Sequence, residues 1–135
     1  MNDYEFVELT PDDLPKCSSF WGYPNTRLEE FLKSGVRKVF AYKIGDEYVG
    51  GCALIIGNKQ SGHFSDFFVR EDLRGKGIGS RILEFAINCF KDKSIKTIRL
   101  HVFKNNPSAI KLYEKYGFKH FEDMTPEKIA MIKTL

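Results

Sequence analysis

The chain has 135 residues, of which 42% are hydrophobic and 29% charged, with a formal net charge of +3. Those proportions give one domain with enough apolar content for a core, and they exclude a disordered chain. So mild a positive charge argues against a nucleic-acid partner. The absence of a bilayer-length apolar run and the acidic start Met1-Asn2-Asp3-Tyr4-Glu5 point to a cytoplasmic protein with no membrane attachment.

In chain order, Glu5 to Leu9 alternates like a first strand. Thr10 then caps a helix with Pro11 at its first position and Asp12 and Asp13 in its first turn, running to about Ser18. An aromatic break, Phe20 to Pro24, leads to a second helix through Leu28, Phe31 and Leu32, capped by Asn25 or Thr26 and stopped at Ser34-Gly35. Val36 to Ile44 and Glu47 to Ile56 read as strands joined by a Gly45-Asp46 hairpin turn. A polar loop, 57–62, precedes a strand from His63 to Val69. Apolar residues at Ile78, Ile82, Leu83, Ala86, Ile87 and Phe90 then follow helical spacing from Ile78 to Lys91. Ile95 to Val102 alternates as a strand, Pro107 opens a short helix to Tyr116 that Gly117 ends, and Phe118 to Phe121 and Ile129 to Ile132 close the chain as strands. The order predicts an α+β fold: a central mixed β-sheet of about seven strands flanked by four helices, in a single domain covering residues 1–135. Cys17, Cys52 and Cys89 are odd in number and widely spaced among apolar neighbours, so they read as small core hydrophobes and suggest neither disulfides nor a zinc site; no metal is expected.

The most informative stretch is Asp72-Leu-Arg-Gly-Lys-Gly-Ile-Gly-Ser80, placed between the apolar strand and the patterned helix. Its glycines let the backbone curl with N–H groups inward, and the helix's first turn adds more unpaired N–H groups at its positive end. Arg70, Arg74, Lys76 and Arg81 surround the loop with positive charge, so its natural guest is a pyrophosphate. A nucleoside-triphosphate loop fails on spacing, because it needs four residues between its first glycine and a Gly-Lys-Ser/Thr ending, and here Ile78 follows Gly77. A dinucleotide fingerprint would want glycine at Ser80 and an acidic residue ending the next strand, where His101, Val102 and Phe103 stand.

What remains, Arg74-x-x-Gly77-x-Gly79 preceded by Phe67-Phe68-Val69, resembles the acetyl-coenzyme A loop of the GNAT superfamily of N-acetyltransferases. One strand later, Asn106-Pro-Ser-Ala109-Ile-Lys-Leu112-Tyr113-Glu-Lys-Tyr-Gly117-Phe118 resembles that family's second signature. The resemblance implies transfer of an acetyl group from acetyl-CoA, as co-substrate, to an amine acceptor. The backbone of Phe67, Phe68 and Val69 would pair with the pantetheine arm and polarise the thioester. Arg74, Gly75, Lys76, Gly77, Ile78, Gly79 and Ser80 would hold the pyrophosphate, with Asn106 on the pantetheine arm or the loop that receives it. Tyr113 would protonate the leaving thiolate, a free thiol having a pKa near about 8.5 and a phenol near about 10. Asp66 would be the base or amine anchor, ahead of His63, His101, His120, Glu122 and Asp123; the superfamily's polyamine acetyltransferases carry Glu before a matching Asp, and Ser65 stands there instead. The segment before the second strand walls the family's acceptor pocket, so the resemblance puts Trp21 and Tyr23 against the substrate; the residues alone read equally well as packing at the helix junction. Members of the family often pair as homodimers, and no stretch here identifies an interface. The acceptor stays open between a small amine, a polyamine, an amino acid and a protein amine. The competing readings are a non-catalytic CoA-binding sensor, which would have no use for Tyr113, and a nucleotide-dependent enzyme, which the loop spacing opposes.

Overall fold

The computed structural model describes residues 4–13, 30, 32–35, 37–57 and 60–135. Within them, seven strands form one mixed sheet: β1 (Tyr4–Glu8), β2 (Arg37–Ile44), β3 (Glu47–Ile56), β4 (Ser61–Val69), β5 (Thr97–Phe103), β6 (Lys119–Asp123) and β7 (Lys128–Thr134). Their spatial order is β1-β2-β3-β4-β5-β7-β6. Each neighbouring pair is antiparallel except β4 and β5, which run parallel. A parallel pair needs a crossover, and helix α1 (Ile78–Asp92) supplies it.

Helix α1 turns Ile78, Ile82, Leu83, Ala86, Ile87 and Phe90 into the core, the six positions the spacing predicts. Burying each side chain of this size contributes about 1.5–3 kcal/mol. Phe85, on the flank of the same helix, stacks on Phe6 of β1 with ring centroids 3.9 Å apart and meets Phe40 of β2 edge-on at 5.0 Å. The opposite face of the sheet carries a smaller cluster, Leu9, Val39, Ala41 and Ala53, with Leu32 against it. Residues 49–54 of β3 are buried throughout, so this strand lies at the centre, covered on both faces.

The β2–β3 hairpin closes at Gly45–Asp46 as the sequence indicates. Of the four expected helices, two are described whole, α1 and α2 (Pro107–Lys115). The first is seen only as a 3-10 turn, Pro11–Asp13, where Asp13 Oδ2 accepts from the Thr10 backbone N–H at 2.7 Å, half of a capping box. The second is seen only at its end, where residues 32–34 are helical before Gly35, at its expected stop. Cys52 is buried as expected and Cys89 is only half-buried; Cys17 lies outside the described residues. No helix among the described residues is long and apolar enough to cross a membrane.

The last strand in the sheet, β6, is exposed along its whole length, and its register against β7 shifts between His120 and Glu122. Strand β4 starts two residues earlier than the apolar run suggests, because Ser61 and Gly62 pair with Thr97 and Ile98 of β5; Gly62 lies directly under the Phe90 ring. A methyl group at Gly62 would overlap that buried ring, so Gly62→Ala is expected to cost about 1–3 kcal/mol through overpacking. A lowered denaturation midpoint with an unchanged slope would register it.

Candidate functional site

Strands β4 and β5 share only three paired positions, Ser61 with Thr97, Gly62 with Ile98 and His63 with Arg99. Beyond His63 they part: β5 stays paired to β7 as far as Phe103, and β4 stays paired to β3 as far as Val69. The parting coincides with a bulge. Ser65 opposes Ala53 and Phe68 opposes Gly51, so Asp66 and Phe67 together face Cys52. Asp66 takes the left-handed φ of +53° that absorbs the extra residue. A cleft of about 600 Å³ opens between the strands, lined by residues 64–69 of β4, 101–103 of β5, the glycine loop and α2.

The glycine loop forms the cleft's mouth. A 3-10 turn, Glu71–Leu73, leads to Gly75 and Gly77, at φ +81° and +85°, and Gly77 caps α1. The first intrahelical bond of α1 is Arg81 N–H to Gly77 O, so the amides of residues 78–80 precede the helical ladder at its positive end. At Gly79 the constraint is space: a Cβ would press on the Phe67 ring at 3.2 Å. Gly75, Gly77, Gly79 and Ser80 line the cleft together with Arg74, whose Nε donates to Val69 O at 3.0 Å. Two expected members do not line it: Lys76 is exposed outside the lining, and Ile78 points into the core. Arg70 is spent elsewhere, bound to Asp72 at 2.7 Å and lying 3.8 Å from Glu47, so its charge serves the turn rather than the cleft.

Helix α2 is fixed at both ends by the residues of its signature. Asn106 caps it, its side-chain oxygen accepting from Ala109 N–H at 3.3 Å, with Pro107 in the first turn. At the other end Gly117, at φ +91°, closes a Schellman motif in which Phe118 N–H donates to Tyr113 O and Gly117 N–H to Glu114 O, both at 3.0 Å. The accompanying apolar contact is between the Phe118 and Tyr113 rings, 5.9 Å apart. Tyr113 is thereby pinned, 5% exposed, among Phe64, Phe67 and Phe118, and it lines the cleft. Burial, and then the nearby Cys52 thiol, push its phenol above the ordinary value, so its hydroxyl keeps its proton.

Asp66 lines the cleft and is held by one distant partner and by its chain neighbour. Arg37 Nη1 donates to its Oδ2 at 2.7 Å and Ser65 Oγ at 3.1 Å. Burial raises its carboxyl above the ordinary range, and the Arg37 guanidinium works against that rise. His101 lines the cleft as well, in edge contact with His63 at 4.8 Å. Glu122, Asp123 and His120 lie outside the lining, paired with Arg99, with Lys104 and His120, and with Asp123 respectively. Trp21 and Tyr23 lie outside the described residues. The Arg37–Asp66 pair was missed from sequence, since no local signal ties residues 29 positions apart.

A model of the acetyltransferase (GNAT) family matches residues 5–118 of the chain. A spermine/spermidine N(1)-acetyltransferase of Bacillus subtilis is 38% identical over 72 residues, 51% of this chain and 47% of that protein. A chloroplastic GCN5-related N-acetyltransferase of Arabidopsis thaliana is 33% identical over 66 residues, 49% of this chain and 23% of that protein. The chain thus spans half or less of these curated relatives. Among solved structures, the PaiA N-acetyltransferase of Thermoplasma acidophilum in complex with coenzyme A superposes with a TM-score of 0.82 at 20% identity, covering 98% of this chain and 99% of that one. At that identity the likeness speaks for the fold.

Burial, followed by the charges of His101, Arg37 and Arg99, lowers the pKa of His63 from 6.5 to about 4. Between those values the unfolded chain binds the proton and the folded chain does not, so stability is full above about 6.5 and falls as pH drops toward 4. His63→Gln should flatten that part of a stability-against-pH curve, measured by denaturant titration.

Proposed function

This chain belongs to the acetyltransferase (GNAT) family, and we propose that it moves an acetyl group from acetyl-CoA to an amine by direct attack of the amine on the thioester. The observation that carries the reading is the cleft where β4 leaves β5, with the amides at the start of α1 at its mouth. In this reading the turn at Gly75 and Gly77 and the first amides of α1 hold the pyrophosphate. The Phe67–Val69 edge of β4 binds the pantetheine arm as an added strand would, and an amide of the bulge faces the thioester oxygen as it gains charge. Tyr113, protonated and held by the Gly117-Phe118 stop, gives its proton to the departing sulfur. Asn106 acts through the helix it caps. Asp66, with Arg37 beside it, shapes the acceptor end. No step needs a covalent enzyme intermediate.

The acceptor in this reading is an amine, be it a small amine, a polyamine, an amino acid or a protein amine. Asp66 is the one carboxylate of the cleft lining among the described residues, and it is already paired with Arg37.

The reading is tested by thermal shift with acetyl-CoA, nucleoside triphosphates and dinucleotides serving as controls, followed by turnover on an amine panel. A shift specific to acetyl-CoA with turnover is expected; a shift without turnover would favour a CoA-binding sensor, and no shift would overturn the assignment. Tyr113→Phe should lower kcat by about 10²-fold with acetyl-CoA binding near normal, and an unchanged kcat would remove Tyr113 from the chemistry. Gly77→Val should lose acetyl-CoA binding. The cause is the left-handed backbone rather than a clash, since nothing lies within 4 Å of where its Cβ would stand. Isothermal titration of the folded variant reads this directly.

A further inference from the structure

Resting on the acyl-transfer reading above, we propose that His101 accepts the proton that the acceptor amine must lose, with His63 as the residue that positions its ring.

The two histidines come from adjacent strands at the level where those strands part. His63 belongs to the last parallel pair, opposite Arg99, and His101 stands two residues further along β5. Their rings meet edge to face, centroids 4.8 Å apart and planes at 77°. His101 lines the cleft and is also exposed, while His63 is half-buried behind it. One ring therefore reaches both the reacting volume and bulk water, and the other limits how it can turn.

The charges facing the pair decide its protonation state. His63 faces Arg37 from β2 and Arg99 and His101 from β5. His101 faces Lys128 from β7, Arg99 on its own strand and Glu122 from β6. Burial first, and then these cations, hold both imidazoles below their ordinary range, with Glu122 opposing the shift at His101. Both rings are neutral near pH 7, so His101 offers a lone pair without first losing a proton. Asp66 is the other basic group in the lining, and it already accepts from Arg37 and Ser65.

A protonated acceptor amine first gives one proton to the unprotonated ring nitrogen of His101. The freed lone pair bonds to the thioester carbonyl carbon, and the nitrogen, made positive by that bond, loses its second proton to water. The C–S bond breaks with its electron pair going to sulfur, which takes the Tyr113 hydroxyl proton. The imidazolium, surrounded by Arg99 and Lys128, gives its proton to water, and Tyr113 regains one from water.

The test compares two acceptors on the full chain: a primary alkylamine, protonated at neutral pH, and an arylamine, already neutral there. His101→Gln is expected to lower kcat/KM for the alkylamine by about 10²-fold. The loss should shrink as pH rises toward the amine's own pKa, while arylamine turnover and the acetyl-CoA thermal shift stay near normal. Added imidazole should restore part of the alkylamine rate. His63→Phe, which keeps an aromatic edge against His101, should retain more activity than His63→Ala. Equal losses on both amines, or an alkylamine rate unchanged across pH, would overturn the role of His101. A wild-type chain that turns over no amine would overturn the acyl-transfer reading itself, a result distinct from a working wild type with an equally working His101→Gln variant. Should His101→Gln lose the acetyl-CoA shift, His101→Asn takes its place in the same comparison.

Discussion

The site depends on two parallel strands that cannot stay together. Backbone N–H and C=O groups demand partners, and β4 and β5 satisfy one another for only three positions before a bulge bends β4 away. An extra residue inserted opposite Cys52 increases the local twist and re-aims the peptide groups on either side of Asp66. The result is a wedge-shaped opening in the middle of the sheet, where β4 and β5 no longer pair with one another. Peptide groups do not depend on residue identity, so such an opening constrains the side chains around it only weakly.

The rest of the fold keeps the wedge open at a fixed width. On one side, β3 is buried on both faces and carries β4; on the other, β5 is paired with β7 along its whole length. Helix α1 bridges the two, with Phe90 against Gly62 near one end and the glycine turn at the other. Helix α2 contributes little buried surface of its own, Tyr113 being its one buried residue. It is therefore held by its ends, with Asn106 satisfying the first turn and Gly117 and Phe118 the last. The signature that looks like a catalytic motif is, in large part, the set of caps that points one tyrosine into the cleft.

How legible this was in the sequence follows the range of each interaction. Helix α1, the Gly45–Asp46 hairpin and the two ends of α2 were legible because each is encoded within a dozen consecutive residues, by spacing, by glycine or by a cap. The bulge was not, because nothing in Ser65-Asp66-Phe67-Phe68 announces that an aspartate will take a left-handed φ within a strand. Nor were the contacts of Asp66 with Arg37 and of His63 with His101, which bring together residues from separate strands. Arg70 looked like part of a basic cluster by proximity in the chain, yet Asp72 and Glu47 claim it. Sequence spacing located the cleft, and only the folded sheet revealed which charges face it.

The exposed final strand carries a different consequence. A sheet edge is a template on which another chain can build, and β6 ends the sheet with none of its five residues buried. Its sequence, Lys-His-Phe-Glu-Asp, puts four charged or titratable groups around a single phenylalanine, and the register slip beside that phenylalanine breaks the regular row of peptide groups. An incoming strand would find the ladder interrupted at the one position where an apolar grip is on offer. At this edge, one of the sheet's two, the interrupted ladder discourages strand addition, while the peptide groups of the central cleft are left open. Two unpaired stretches of one sheet thus have opposite accessibility to another chain.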